Sequence, residues 1–143
     1  MTDHFRKLEN MYLSAPINRF YGPTLHIERG GAELRMGIRP EFFHAAGAMH
    51  GSVYFKAADD AAFFAVNSLV EDVFVLTSTF TIYLLRPVSE GLLVARGSVV
   101  HAARTTFVAE AVLADGEGNQ IGRGSGTFVR SKTPLTADIG YRL

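Results

Sequence analysis

The chain has 143 residues, 48% of them apolar, and fourteen basic side chains balance fourteen acidic ones. That length supports one domain with a real core, and the apolar content argues against disorder. Zero net charge leaves no electrostatic footprint for nucleic acid or an anionic membrane, and it lets copies associate without net repulsion. The absence of cysteine excludes disulfides, thiolate metal sites and a cysteine nucleophile.

The stretch from Met1 to Asn18 has mixed charge and no signal-like apolar core. The most apolar region, Ala57 to Val70, is broken by Asp59 and Asp60 and is too short to span a bilayer. A cytoplasmic protein is the expectation. No repeat or Pro/Gly/Ser-rich linker divides the sequence, so residues 1–143 read as one domain.

Along the chain, residues 4–13 fit a short amphipathic helix, stopped by Ser14-Ala15-Pro16. A strand at Thr24 to Glu28 meets the turn pair Gly30-Gly31, and the return strand runs from Ala32 to Ile38. Glu41 to Met49 is loop or irregular helix. Gly51 to Val70, rich in alanine and free of proline, predicts a helix of about five turns, apolar almost all round and therefore buried on more than one side. From Phe74 the period falls to two: Phe74, Leu76, Phe80, Ile82 and Leu84 share one face, opposite Thr77, Thr79, Thr81 and Tyr83. Strands follow at Leu92 to His101, Thr105 to Ala114 and Gln120 to Arg130, with Asp115 to Asn119 the clearest turn and an irregular tail around Pro134.

This order gives an α+β fold: an antiparallel sheet whose last four strands form a meander, wrapped around one long helix that crosses it from edge to edge. The outer face of the sheet is expected to be covered by another copy of the chain.

The strongest chemical signal is Asp59-Asp60, because a carboxylate inside an Ala/Phe helix is costly unless it is paired, hydrated or protonated. The residues alone do not choose between the two. A second cluster, His44, Gly47, His50 and Gly51, sits where the helix starts. There a glycine exposes a backbone N–H to which the helix dipole adds positive charge, an arrangement able to polarise a carbonyl. A metal set of His44, His50 and Asp59 fits no ligand spacing, and no G-x-S-x-G elbow exists for a serine hydrolase. Gly122, Gly124 and Gly126 alternate along an edge or bulged strand, where a ligand backbone could approach. Arg104, Arg123, Arg130 and Lys132 are candidates to clamp phosphates of a coenzyme A-like carrier.

The run Gly47-Ala48-Met49-His50-Gly51-Ser52, leading into a long helix with Asp59, resembles the hotdog-fold thioesterases, nearest to the phenylacetic-acid-pathway and acyl-CoA branch. The likeness runs from about residue 24 to 132. It includes the H-G pair, an acid nine residues after the histidine, and a strand closing on Arg86-Pro87. The resemblance implies acyl-CoA hydrolysis in a homodimer or homotetramer, with coenzyme A only as part of the substrate and no separate cofactor or metal. It selects Asp59 over Asp60 as nucleophile or general base, acting across the subunit boundary from the N–H of Gly51. It also implies support from His44, His50 and Thr77. Ser52, Asp60, Arg104, Arg123, Gly124 and Ser125 complete the expected substrate-binding set. Ser52 replaces the second glycine of the family motif, and His44 stands where many relatives have asparagine. A hydratase or dehydratase of acyl-CoA or acyl carrier protein, pairing His44 with Asp59, and a non-catalytic acyl-CoA binding protein are the alternative readings.

Overall fold

The computed structural model describes residues 2–143. Helix α1 (Thr2–Ser14) is followed by a single turn, α2 (Asn18–Tyr21), and the hairpin β1 (Thr24–Glu28) and β2 (Gly31–Gly37). The long helix α3 (Gly51–Asn67) precedes β3 (Val73–Leu84), β4 (Leu92–Ala102), β5 (Thr106–Asp115) and β6 (Gln120–Pro134). All neighbours in the six-stranded sheet are antiparallel, in the order β1-β2-β4-β5-β6-β3.

The α+β class holds, but the four-strand meander does not: β4, β5 and β6 form one, whereas β3 lies at the far edge beside β6. The reason is the segment between β3 and β4. Its Val88 carbonyl accepts the N–H of Met49, and its Arg86 carbonyl accepts the Tyr54 hydroxyl. The chain is thereby carried beneath the start of α3 to pair with β2.

Nor does α3 cross the sheet from edge to edge. Its first residue abuts Leu84 and its last bonds to Val73 and Val75, at opposite ends of β3. The helix thus runs antiparallel to β3, with the sheet curled around it. Ala57, Ala58, Ala61, Ala62 and Ala65 are fully buried. Gly97 of β4 lies so close that an added Cβ would sit 2.2 Å from the Ala61 carbonyl oxygen. Small residues on both surfaces are what let the helix backbone rest directly on the strands. An open stripe nevertheless remains along α3 at Ser52, Phe55, Asp59 and Phe63, spaced three or four apart, so the helix is not enclosed all round.

The helix ends three residues earlier than its alanine-rich pattern suggests. Asn67 is completely buried; its Nδ2 donates to the carbonyls of Val70 and Val73, and its Oδ1 accepts the N–H of Val75. These bonds offer the backbone an alternative to further helix, and they turn the chain into β3.

Helix α1 packs with the stripe His4, Leu8, Met11 and Tyr12 inward. From its flank Glu9 accepts the N–H of Ile27 and Arg6 donates to the Ile27 carbonyl. The free edge of β1 is thus occupied by side chains, while β3 presents a long edge with no neighbour among the described residues. The C-terminal tail is not irregular. After β6 a 3-10 turn, Ala137–Ile139, docks on α1, where His4 bonds the Tyr141 hydroxyl at 2.7 Å.

Candidate active site

Three local structures meet along the open stripe of α3. At the helix start, His50 is the N-cap: its backbone is extended and its Nδ1 accepts the N–H of Ser52 at 3.0 Å. That bond leaves the neutral ring's proton on Nε2. Ser52 Oγ lies 2.8 Å from the same Nδ1 and donates to it, so the residue in place of a second glycine serves the cap. His44 is held in the preceding loop, where its Nδ1 accepts the N–H of Ala46, and its ring centroid lies 6.5 Å from that of His50. Gly51 follows as the first helical residue. Its N–H has no acceptor among the described residues and carries the positive end of the helix dipole.

Asp59 lies two turns further along. The alternation in β3 groups Phe80 with Leu76, opposite Thr77; the structure keeps Thr77 opposite the exposed Leu76 but brings Phe80 onto the Thr77 side. A bulge at Ser78, where Thr77 pairs with Phe128 but Thr79 pairs with Thr127, shifts the phase by one residue. Before it Val75 is buried and Leu76 is 47% exposed; after it Phe80 turns inward against Phe128 and Phe55. Thr77 therefore faces α3, and its hydroxyl donates to Asp59 Oδ1 at 2.8 Å. Burial pushes the Asp59 carboxyl above the usual carboxylate range; the Thr77 bond opposes this, the Asp60 charge adds to it, and Lys56 opposes it.

Asp60, one residue on, is in a different setting. Its Oδ2 accepts the Lys56 ammonium at 2.5 Å and the Tyr12 hydroxyl at 2.6 Å. Burial, with the Asp60 charge next, holds the Tyr12 phenol far above its ordinary pKa. Lys56 also lies over the rings of Tyr12 and Tyr21. Asp60 is therefore a paired structural carboxylate, whereas Asp59 Oδ2 has no partner among the described residues. Lys56 was missed in the sequence although its i, i+4 spacing to Asp60 is a recognisable helical ion-pair pattern. Tyr12, from another element, gave no local signal.

Both carboxylates border a cleft of about 1120 Å³ between α1, α3, β3 and the C-terminal turn. Phe63, Phe64 and Phe74 line it. Other aromatics pack away from it: Phe55 with Phe80, and Phe42 with Phe20.

The remaining candidates do not converge. Gly51 and Asp59 are about 12 Å apart along the rigid helix at 1.5 Å per residue, so one chain cannot bring both to one carbonyl, and His44 is likewise remote from Asp59. Arg123 pairs with Tyr83 near the Leu84 end of β3, while Arg104 lies at the opposite end of β6, where its carbonyl accepts Arg130 Nε. Arg130 is engaged by Asp72. Ser125 is exposed on the outer face of the sheet. Gly124 is buried, and β6 is interior to the sheet rather than at an edge. A Cβ at Gly124 would meet the Phe80 ring at 2.7 Å, so the close approach that this glycine permits is made by Phe80. No helix among the described residues is long and apolar enough to cross a membrane.

Known proteins share this fold. The fold matches the PaaI protein of the Escherichia coli phenylacetic acid degradation operon with a TM-score of 0.86, at 22% identity over 94% of this chain and 98% of that one. A thioesterase family protein of Silicibacter pomeroyi matches at 0.80, with 27% identity over 87% and 95% of the two chains. A Haemophilus influenzae thioesterase matches at 0.77, with 20% identity over 84% and 85%. The family model of the thioesterase superfamily matches residues 46–121, more than half of the sequence, spanning the helix start, α3 and the strands through the start of β6. The chain belongs to the thioesterase superfamily and has its hotdog fold.

Proposed function

We propose that the protein hydrolyses acyl-CoA thioesters to a free acid and coenzyme A, with coenzyme A entering only as part of the substrate. Membership of the thioesterase superfamily supports thioester hydrolysis, and the observation that carries the residue assignment is the contrast within α3. A desolvated carboxylate with one free oxygen borders a cleft, while an unsatisfied N–H lies too far away on the same rigid helix. Two antiparallel copies resolve that distance. The unpaired edge of β3, bearing exposed Leu76, Tyr83 and Leu84 with exposed Leu85 just beyond it, is the surface through which they would pair. A two-fold axis there reverses one helix against the other and brings Gly51 of one copy toward Asp59 of its mate.

In the general-base route Asp59 takes a proton from water as the water oxygen bonds to the carbonyl carbon. The Gly51 N–H of the other copy stabilises the oxyanion, and the C–S bond then breaks as the thiolate receives the proton from Asp59. In the nucleophilic route the carboxylate oxygen bonds to the carbonyl carbon as the C–S bond breaks and the thiolate leaves. Water then cleaves the resulting anhydride to the free acid and the restored Asp59 carboxylate, its released proton going to the thiolate. Thr77 orients the carboxylate in both, and His50 and Ser52 hold the helix start. His44, as the neighbour of His50, supports the loop that presents Gly51. Arg104 and Arg123, at opposite ends of β6, would reach coenzyme A phosphates only separately. The protein is proposed to work in the cytoplasm as a homodimer or homotetramer.

The test is thiol release from a panel of acyl- and aryl-CoAs by wild type and Asp59→Asn. Loss of about 10²–10⁴ in kcat is expected for the variant. Its melting temperature at neutral pH should not fall. A carboxyl whose folded pKa is raised loses stability as pH rises through that value, and asparagine removes the penalty. Equal rates for the two proteins, or no cleavage of any thioester by wild type, would refute the assignment.

A further inference from the structure

The cleft beside Asp59 has an outer wall that no sequence motif announced. Its floor is Phe63 of α3 with Phe74 and Leu76 of β3, and the Phe63 ring lies 5.1 Å from that of Phe74. The C-terminal turn completes the lining with Ile139, preceded by the charged Asp138, and Arg142 lines it three residues further on. The Lys56–Asp60–Tyr12 network closes the side toward α1 with its polar atoms joined to one another. The interior is thus largely apolar next to the reactive carboxylate, and it meets charge at the C-terminal turn.

The wall is built into the fold. Tyr141 bonds His4, whose Nε2–H donates to the Asn67 carbonyl at the end of α3. Asn10 donates to the Arg142 carbonyl at 2.8 Å. Gly140 has φ of +93°, and a Cβ there would lie 2.4 Å from Ser14 Oγ, so the turn fits against α1 only with glycine at this position. Both ends of the chain are thereby locked together beside Asp59. The volume, about 1120 Å³, lies just above the usual range of roughly 300–1,000 Å³ for small-molecule sites.

We propose that this cleft receives the acyl group of the substrate, and that Ile139 with the charges of Asp138 and Arg142 is the stop that limits acyl length. The substrate class is then a medium-sized apolar acyl thioester, larger than acetyl and shorter than a long fatty chain. The inference rests on the hydrolase reading above, because the thioester carbonyl must lie at Asp59 for the acyl group to enter here. A small acyl group would leave the aromatic floor uncovered and gain little from apolar burial. A long chain would have to desolvate Asp138 or Arg142 or displace the docked turn.

The experiment measures kcat/KM for acetyl-, octanoyl-, phenylacetyl- and palmitoyl-CoA with wild type, Ile139→Trp and Ile139→Ala. It also records melting temperatures with and without octanoate. Ile139 is partly exposed, so both substitutions are compatible with folding, and circular dichroism checks this. The octanoyl-to-acetyl ratio should fall at least tenfold in Ile139→Trp, and the palmitoyl-to-octanoyl ratio should rise at least threefold in Ile139→Ala. If wild type is active but both ratios stay within twofold in both variants, the acyl group binds elsewhere; the pocket inference is then overturned and the hydrolase reading stands. If wild type cleaves no thioester, the hydrolase reading fails by itself. The cleft is then judged on octanoate: stabilisation of wild type that Ile139→Trp abolishes supports an acyl pocket, and no stabilisation overturns it.

Discussion

The two ends of the open stripe on α3 solve opposite problems. At the helix start, groups are exposed and the useful atom belongs to the backbone: the Gly51 N–H is available because a first helical residue has no intrahelical acceptor. Around Asp59, the useful atom belongs to a side chain withdrawn from water and anchored by one hydroxyl from another element. The first end requires only that nothing block the amide. The second requires that α1, α3 and β3 all be in place. A backbone donor is robust to most substitutions, whereas a tuned carboxylate depends on every neighbour that packs against it.

Proline at position 51 breaks the first end most directly. It removes the N–H, yet the first helical position is where proline is tolerated best. His50 already has φ −65° and ψ 144°, the conformation preferred before proline. Alanine there is the matched control. It adds a Cβ within 2.9 Å of a Leu84 methyl, a contact that a flexible side chain can relieve, and it keeps the N–H. Gly51→Pro should lose about 10²–10³-fold in kcat, the usual cost of deleting one oxyanion donor, and Gly51→Ala should lose far less. Similar losses in both, measured on the same thioester, would assign the effect to the methyl contact at Leu84.

The comparison sharpens when the two ends are placed on different chains. Mixing unfolded Asp59→Asn with Gly51→Pro and refolding them together yields hybrids. One of their two sites combines an intact Asp59 with an intact Gly51 donated by the other copy. Random pairing in a two-fold dimer gives half hybrids with half their sites intact, so activity should return to roughly a quarter of wild type. A site confined to one chain would recover nothing.

How much of this was legible beforehand differs between the same two ends. The helix start could be read in the sequence, because His50-Gly51 followed by an alanine-rich run is a local pattern, and local patterns set caps and helix starts. The fold class was legible for the same reason. Asp59 stood out as an anomalous carboxylate, and the one local clue separating it from Asp60 is the i, i+4 spacing of Lys56 to Asp60. What separates them is Thr77, Lys56 and Tyr12, two of which come from other elements. The inward turn of Phe80 onto the Thr77 side was not legible, because a bulge at Ser78 breaks the alternation without a glycine or proline to mark it. The position of β3 beside β6, and the docking of the C-terminal turn, depend on the buried Asn67 that turns the chain into β3 and on long-range hydrogen bonds from Tyr54 and His4. Periodicity does not record these.

The smallest expected effect tests the anchoring of the second end. Thr77→Val keeps the volume and removes the hydroxyl that donates to Asp59. That bond favours the ionised carboxylate, and so does Lys56, against burial and the Asp60 charge, while Tyr12 and Lys56 hold Asp60 in its own pair. Removing it must raise the Asp59 pKa further. If the ionised form is the active one, the acid limb of the pH profile of kcat/KM moves to higher pH. The loss should then be about tenfold on that limb, the size of one charge-assisted hydrogen bond, and should shrink as pH rises and the carboxylate ionises again. Thr77→Ser, which restores a hydroxyl, should return the limb toward wild type. A uniform loss at every pH would show instead that Thr77 fixes the position of Asp59 and not its charge. The two ends of the stripe would then differ only in which atoms they present.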